Sequence, residues 1–303
     1  MRLPAALRHH AVVPGFALLV AGLLAACGGD ALPSLSPSPT PVPLPTPVTT
    51  SFAPGATAWY AGLIVHIDGA VAVVDASGGT VALDMRLENP GSDLASLEAP
   101  LMLISGSDAV DPVRGTVLPD IPGGSTASTT VVFEVDGAFD LGAGAVRIGR
   151  AAEHEVVVPL AADTAGLITL EPRALAVRGS VQAGTLRIVV SAGELRADLP
   201  DWGLELPRSS VALTLTYSAT FRSDFAGGFA FTGANVSLVL PDGRTIAARP
   251  DGHSAPAQVL RPGAVVTGLV SRFEVPAPGT GAYTLVITNG SAIGKRPFIV
   301  KAP

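Results

Sequence analysis

Cys27 is the only cysteine among 303 residues. A thiol can attack a carbonyl, hold a soft metal, pair into a disulfide or accept a lipid. Attack needs a positioned base, and metal binding needs further ligands. A disulfide within the chain needs a second cysteine, which is absent. The histidines offer no base. His66 alternates with apolar residues in Leu63–Asp68, which places it on the polar face of a strand. His154 stands between Glu153 and Glu155, on a solvated strand face or loop. His253 follows Pro250-Asp251-Gly252 and reads as a turn residue. No Gly-x-Ser-x-Gly elbow occurs, and Gly290-Ser291-Ala292-Ile293-Gly294 has the wrong spacing for one. No catalytic residue is therefore expected. Met85 and Met102 lie in strand-like runs, and the histidines are scattered, so no transition-metal set is expected either. Asp108, Asp111 and Asp120 fall in one loop region, Asp198 and Asp201 in another. Their spacing matches no calcium loop, and turn formation accounts for aspartates of this kind. Without a glycine-rich phosphate loop or a dinucleotide fingerprint, no cofactor is expected.

The aromatic residues are the remaining candidates. Trp59 and Tyr60 are expected where a tether meets the first globular domain, and Trp202 sits in the turn Leu199–Gly203. The segment Phe221–Phe231 carries Phe221, Phe225, Phe229 and Phe231 around Gly227 and Gly228. Trp59, Tyr60, Trp202, Phe225 and Phe229 are the candidate ligand contacts; plugging a core or a sheet edge is the competing role.

Residues 1–26 read as a secretion signal. Arg2 and Arg8 make a basic start, and Ala11–Ala26 is apolar but too short for a membrane span of about 20 residues. Leu24-Ala25-Ala26-Cys27 resembles the lipobox of bacterial lipoproteins. The resemblance implies cleavage before Cys27, acylation of its thiol and attachment to the cell membrane or outer membrane on the extracytoplasmic side. Two or three acyl chains make such an anchor stable. Residues 27–54 read as its Pro/Ser/Thr-rich linker. Seven prolines fall between Pro33 and Pro47, favouring extended polyproline II of roughly 60 Å.

Removing the signal takes away two arginines and leaves 17 basic against 25 acidic residues, a net charge of −8. Nucleic acid demands a basic stripe, so it is not an expected partner. The expected partners are the membrane, through the lipid, and an envelope protein or glycan.

Glycine, proline and β-formers favour short strands and turns. Val81–Glu88 and Val211–Tyr217 alternate with period two, and both contain Val-Ala-Leu. Each is followed by a Leu–Pro–Gly turn and a strand ending Phe-Glu-Val, at Phe133–Val135 and Phe273–Val275. Aligning Leu83 with Leu213 gives an internal repeat whose second copy is longer by about ten residues, placed at Thr220–Phe231. The expected architecture is all-β: two tandem immunoglobulin-like β-sandwiches, residues 55–163 and 164–303, after the signal and linker. A short helix is conceivable only at Ser92–Leu97. The stretches Leu83–Asn89 with Ile121–Val135, and Leu238–Gly243 with Leu260–Pro276, resemble the immunoglobulin-like domain of small surface lipoproteins and secreted antigens of unknown function. That resemblance implies a fold and a surface setting and no catalytic residues. The functional expectation is a non-catalytic envelope lipoprotein that displays two sandwiches for protein or glycan binding, or for envelope assembly. The alternative is a ligand-binding or sensory lipoprotein that presents a small molecule or ion to a membrane partner.

Overall fold

Apolar residues at every second position give each strand an inside and an outside. The computed structural model describes residues 46–161, 164–250, 254 and 257–302. Cys27, the signal, most of the linker and His253 lie outside the described residues. Residues Pro45–Pro303 form one compact unit.

The first sandwich is built in chain order from β1 (Val48–Phe52), β2 (Ala56–Tyr60), β3 (Leu63–Asp75), β4 (Gly78–Glu88) and β5 (Leu101–Ser105). Then come β6 (Asp108–Val110), β7 (Thr126–Val135), β8 (Ala145–Ile148), β9 (Val156–Pro159) and β10 (Ile168–Thr169). One sheet runs β10-β2-β3-β4-β7, with β1 also paired to β3; the other runs β6-β5-β8-β9. The second sandwich comprises β11 (Arg173–Leu175), β12 (Gly179–Ala183), β13 (Leu186–Arg196), β14 (Asp198–Leu199), β15 (Leu204–Glu205) and β16 (Ser210–Phe221). It continues with β17 (Phe229–Phe231), β18 (Val236–Val239), β19 (Thr245–Ala247), β20 (Gln258–Leu260), β21 (Val265–Pro276), β22 (Gly281–Asn289) and β23 (Ala292–Val300). Its sheets run β11-β13-β16-β21, with β12 on β13, and β19-β18-β22-β23. In both, the chain passes from one sheet to the other at matching places: between β4 and β5, β6 and β7, and β7 and β8 in the first, and between β16 and β18, β19 and β21, and β21 and β22 in the second.

Each sandwich has its own core. Leu83, Met85 and Phe133 meet Leu103, Val146 and Val158 in the first. Leu213, Tyr217 and Phe273 meet Leu238, Tyr283 and Ile287 in the second. The copies match in detail. The edge strand is split in both: β1 and β2 pair with the two halves of β3, as β11 and β12 do with β13. A bulge interrupts β3 after Ile67 and β13 after Val190. These landmarks move the expected alignment by two residues. Phe133 faces Val81, and Phe273 faces Leu213. Val81 therefore corresponds to Leu213, and the second copy is longer by eight residues over this span, not ten. A slip of two keeps the same face inward, so alternation alone could not detect it.

Other expectations shift. The linker ends before residue 54, because Val48–Phe52 contains no proline and pairs with β3. Trp59 and Tyr60 lie at the opposite end of the sandwich from Val48, not beside the tether. Ser92–Leu97 is irregular and bridged through Ala95 to Ile121, not helical. Residues 164–170 stay with the first sandwich: β10 adds in parallel to β2, and Leu170 packs on that core.

Strand directions give each sandwich two ends. The β2–β3 turn, the β4–β5 loop and the β8–β9 connection share one end of the first. That end meets the second sandwich where β13 finishes and β16 begins. The β12–β13 turn, β17, β20 and the start of β21 lie at the far end of the second.

Candidate functional site

Where the sandwiches meet, the β2–β3 turn is inserted into the second one. Its central residues, Ala61 and Gly62, have φ of 49° and 86°. Both lie in the left-handed region, as a type I′ hairpin turn requires. Their amides point away from the hairpin and are received by two buried carboxyl groups. Ala61 N donates to Glu205 Oε2 at 2.9 Å, and Gly62 N to Asp198 Oδ2 at 2.6 Å.

The receiving carboxyls come from a device present in one copy only. In the first sandwich β3 and β4 are joined by the tight turn Ala76-Ser77. In the second, the equivalent connection is residues 197–209, in which β14 pairs with β15 around a 3₁₀ turn, Pro200–Trp202. This ribbon folds over the outer face of β16 and β21. Leu199, Leu206 and Ala212 make a small apolar cluster there. It explains why Ala212 and Thr214 are buried although alternation assigns them to the outside. Arg272 on the same face donates to Asp201 Oδ2 at 2.5 Å.

Arg196 completes the junction. Its Nε and Nη2 donate to Asp198 at 2.6 and 3.0 Å, and Nη1 reaches Glu194 at 3.1 Å. Its guanidinium carbon is 5.5 Å from the centre of the Trp59 ring, within cation–π range. Burial pushes the Glu205 carboxyl up to about 9; the Ala61 amide and Arg196 oppose that rise, and Asp198 and Glu153 add to it. Glu205 Oε1 is buried without a hydrogen-bond partner, a setting that disfavours the charged carboxylate. Burial, reinforced by the Glu153 bond, likewise raises the Tyr60 phenol, which donates to Glu153 Oε2 at 3.0 Å.

A second seam runs alongside. Arg208 bonds Glu155 and the Glu153 carbonyl, and His154 Nε2 lies 2.8 Å from the Ser210 carbonyl. His154 is thus a junction residue, not a solvated one: the adjoining β16 end supplies its acceptor. Gly62 leaves no room for a side chain at the junction. A Cβ there would sit 2.9 Å from both Cα and O of Pro200. Gly62→Ala is expected to cost about 2–4 kcal/mol, from backbone strain and the clash together. Denaturant titration would measure it; a loss within experimental error would mean that the turn does not dock as described.

Beside the junction lies a cleft of about 540 Å³. One wall is the β4–β5 loop with Trp59; the other is Arg196 with Pro200–Gly203. Asn89 shapes the first wall. It is buried, donates to the carbonyls of Asp93 and Ile121, and accepts from Gly91 N. Trp202 and Leu94 are 57% and 67% exposed on the walls. Asp93, Glu98 and Asp201 make the lining mainly acidic, against one arginine.

Of the sequence candidates, Trp59 and Trp202 therefore converge on one cleft, although they stand far apart in the chain. Tyr60 is 2% exposed and belongs to the core and junction. Phe229 stacks on Phe221 at 5.6 Å, and Phe225 is 65% exposed, both at the far end of the second sandwich. The aspartates 198 and 201 are engaged by arginines. Asp108, Asp111 and Asp120 are exposed; among the described residues, no three His, Cys, Asp or Glu side chains gather as a metal set. The sequence reading missed Glu205, Arg196 and the Ala61-Gly62 turn. Their signals were present: positive-φ chemistry at Ala-Gly, and charges set within the apolar frame Leu195–Leu206. No protein-family model matches the chain, and no curated protein matches it.

Proposed function

We propose that this protein is a non-catalytic lipoprotein of the cell envelope that displays two fused sandwiches and binds a protein or glycan partner at the cleft between them. The observation that carries this reading is the junction cleft, with an exposed indole on one wall and a second tryptophan on the other. Pockets of this size at domain interfaces, with aromatic lining and a few polar groups, are the usual form of a binding site. Trp202 offers a flat apolar face for a sugar ring or an apolar side chain. The acidic lining disfavours anionic ligands and suits neutral or cationic ones.

The non-catalytic reading draws support from how the buried carboxyls are used. Asp198 and Glu205 do not line the cleft. Asp198 is committed to an amide and a guanidinium, and Glu205 to an amide. The alternative, a small-molecule or ion presenter, draws on the same cleft and differs in the size of its ligand.

The test is capture from the native envelope and from a glycan panel, using wild type and Trp202→Ala. The exposed side chain makes the variant's stability change small, within about 0.5 kcal/mol. Partner retention is expected to fall about tenfold or more. Equal retention would remove the cleft as the binding site. Anchoring is tested separately: Cys27→Ser should abolish palmitate labelling and release the chain from the membrane fraction.

A further inference from the structure

The end of the second sandwich facing away from the junction is equivalent to the end of the first that the second covers. Among the described residues nothing covers it in the second copy, and its surface is unusually apolar. Phe225, Val259 and Val265 are 65%, 53% and 61% exposed. They cap this end from three adjoining segments, the Phe225 loop, β20 and the start of β21. Gly227 lies under the Phe225 ring, and Gly228 lies against the Val259 side chain. Val265 faces Thr220, beside the stacked pair Phe221 and Phe229.

The first copy carries the two equivalent loops in a simpler form. There the two loops meet in a single bridge, Ala95 to Ile121. Here they meet in a three-residue ribbon, β17 with β20, which holds the Phe225 loop and Val259 together. Arg222 and Arg261 flank the cap and are exposed; Asp224 is the one acid in the loop. The chain as a whole is acidic, so this end is locally reversed in sign.

We propose that this cap is a membrane-contacting tip: Phe225 and Val259 enter the acyl boundary of an anionic bilayer while Arg222 and Arg261 meet its headgroups. Two physical points select a bilayer over a protein. Three apolar side chains are far short of the roughly 800 Å² per partner that a stable protein interface takes. A bilayer has no shape to match, so a few apolar side chains with flanking arginines suffice for weak association. The tip lies at the opposite end of the fused sandwiches from Val48, the start of β1. Its contact is therefore separate from the cleft.

Residues 45–303 contain both cores and the junction, so this fragment is the probe. It is sedimented with vesicles of phosphatidylcholine alone and of phosphatidylcholine with phosphatidylglycerol. The expected result is binding to the anionic vesicles only, weakened by salt. A Phe225→Ser/Val259→Ser double variant should lose about tenfold in bound fraction. Arg222→Ser/Arg261→Ser should lose the preference for phosphatidylglycerol. Both variants alter exposed side chains, and unchanged thermal melting verifies the fold. Equal sedimentation of wild type and the apolar variant overturns the proposal. So does dimerisation in solution that the apolar variant abolishes, which would make a second copy the occupant.

Discussion

Asp198→Ala is expected to remove about 3–5 kcal/mol of stability, the largest single loss in the molecule outside the cores. The carboxylate accepts three bonds, one from the amide of Gly62 and two from Arg196. Its removal leaves a guanidinium in a 10% exposed setting with only Glu194 to face it, and leaves the Gly62 amide without its acceptor. The net worth of the intact pair is much smaller, because burying both charges had already cost solvation. Denaturant unfolding with separate probes in each sandwich should show more than a lower midpoint. With the hairpin released, the transitions of the two sandwiches are expected to separate. A variant that unfolds in one coincident step at the wild-type midpoint would show that the junction does not couple them.

The second expected result is a stability that falls as pH rises from about 5 to 9. Glu205 is held up to about 9 in the fold, whereas unfolded it titrates as an ordinary carboxyl near about 4.3. Between these values the folded chain keeps a proton that the unfolded chain has released. The contribution is full below the unfolded value and is lost as pH climbs through the folded one. Its slope approaches about 1.4 kcal/mol per unit, enough to dominate the profile across that range. Glu205→Gln keeps an oxygen for the Ala61 amide and removes the titration. It is expected to flatten the profile and to exceed wild type at pH 8. If wild type and the Glu205→Gln variant show parallel slopes, the carboxyl is not the cause.

The fold was legible because inside and outside were written residue by residue. Val81, Leu83, Met85 and Leu87 carry the β4 core face, and proline-free Val48–Phe52 could have been read as a strand by the same rule. The repeat was legible as a pattern but not in register, since its period of two hides a two-residue slip; only the bulges at Asp68 and Ser191 fix it. The site was half legible. Trp59 and Trp202 stood out as aromatics in polar surroundings, but nothing in one dimension places the β2–β3 turn against residues 197–209. Burial of Asp198 and Glu205 is a consequence of that docking, and isolated carboxyls in a sequence read as surface. His154 misled for the same reason: its acidic neighbours look solvated until Arg208 and the start of β16 are set beside them.

The ribbon at 197–209 also decides how many units can be joined. A contact between one end of a module and the opposite end of the next is heterologous, and such contacts propagate into filaments when every module offers both halves. Here the halves are not duplicated. The second copy has a hairpin turn at Gly184-Thr185, equivalent to Ala61-Gly62. A neighbouring molecule, however, could offer it only the two-residue β3–β4 turn of its first copy, which holds no buried carboxyl pair. The same docking therefore does not pass from one molecule to the next. Having the receiving ribbon in one copy only confines this docking to the pair within a molecule.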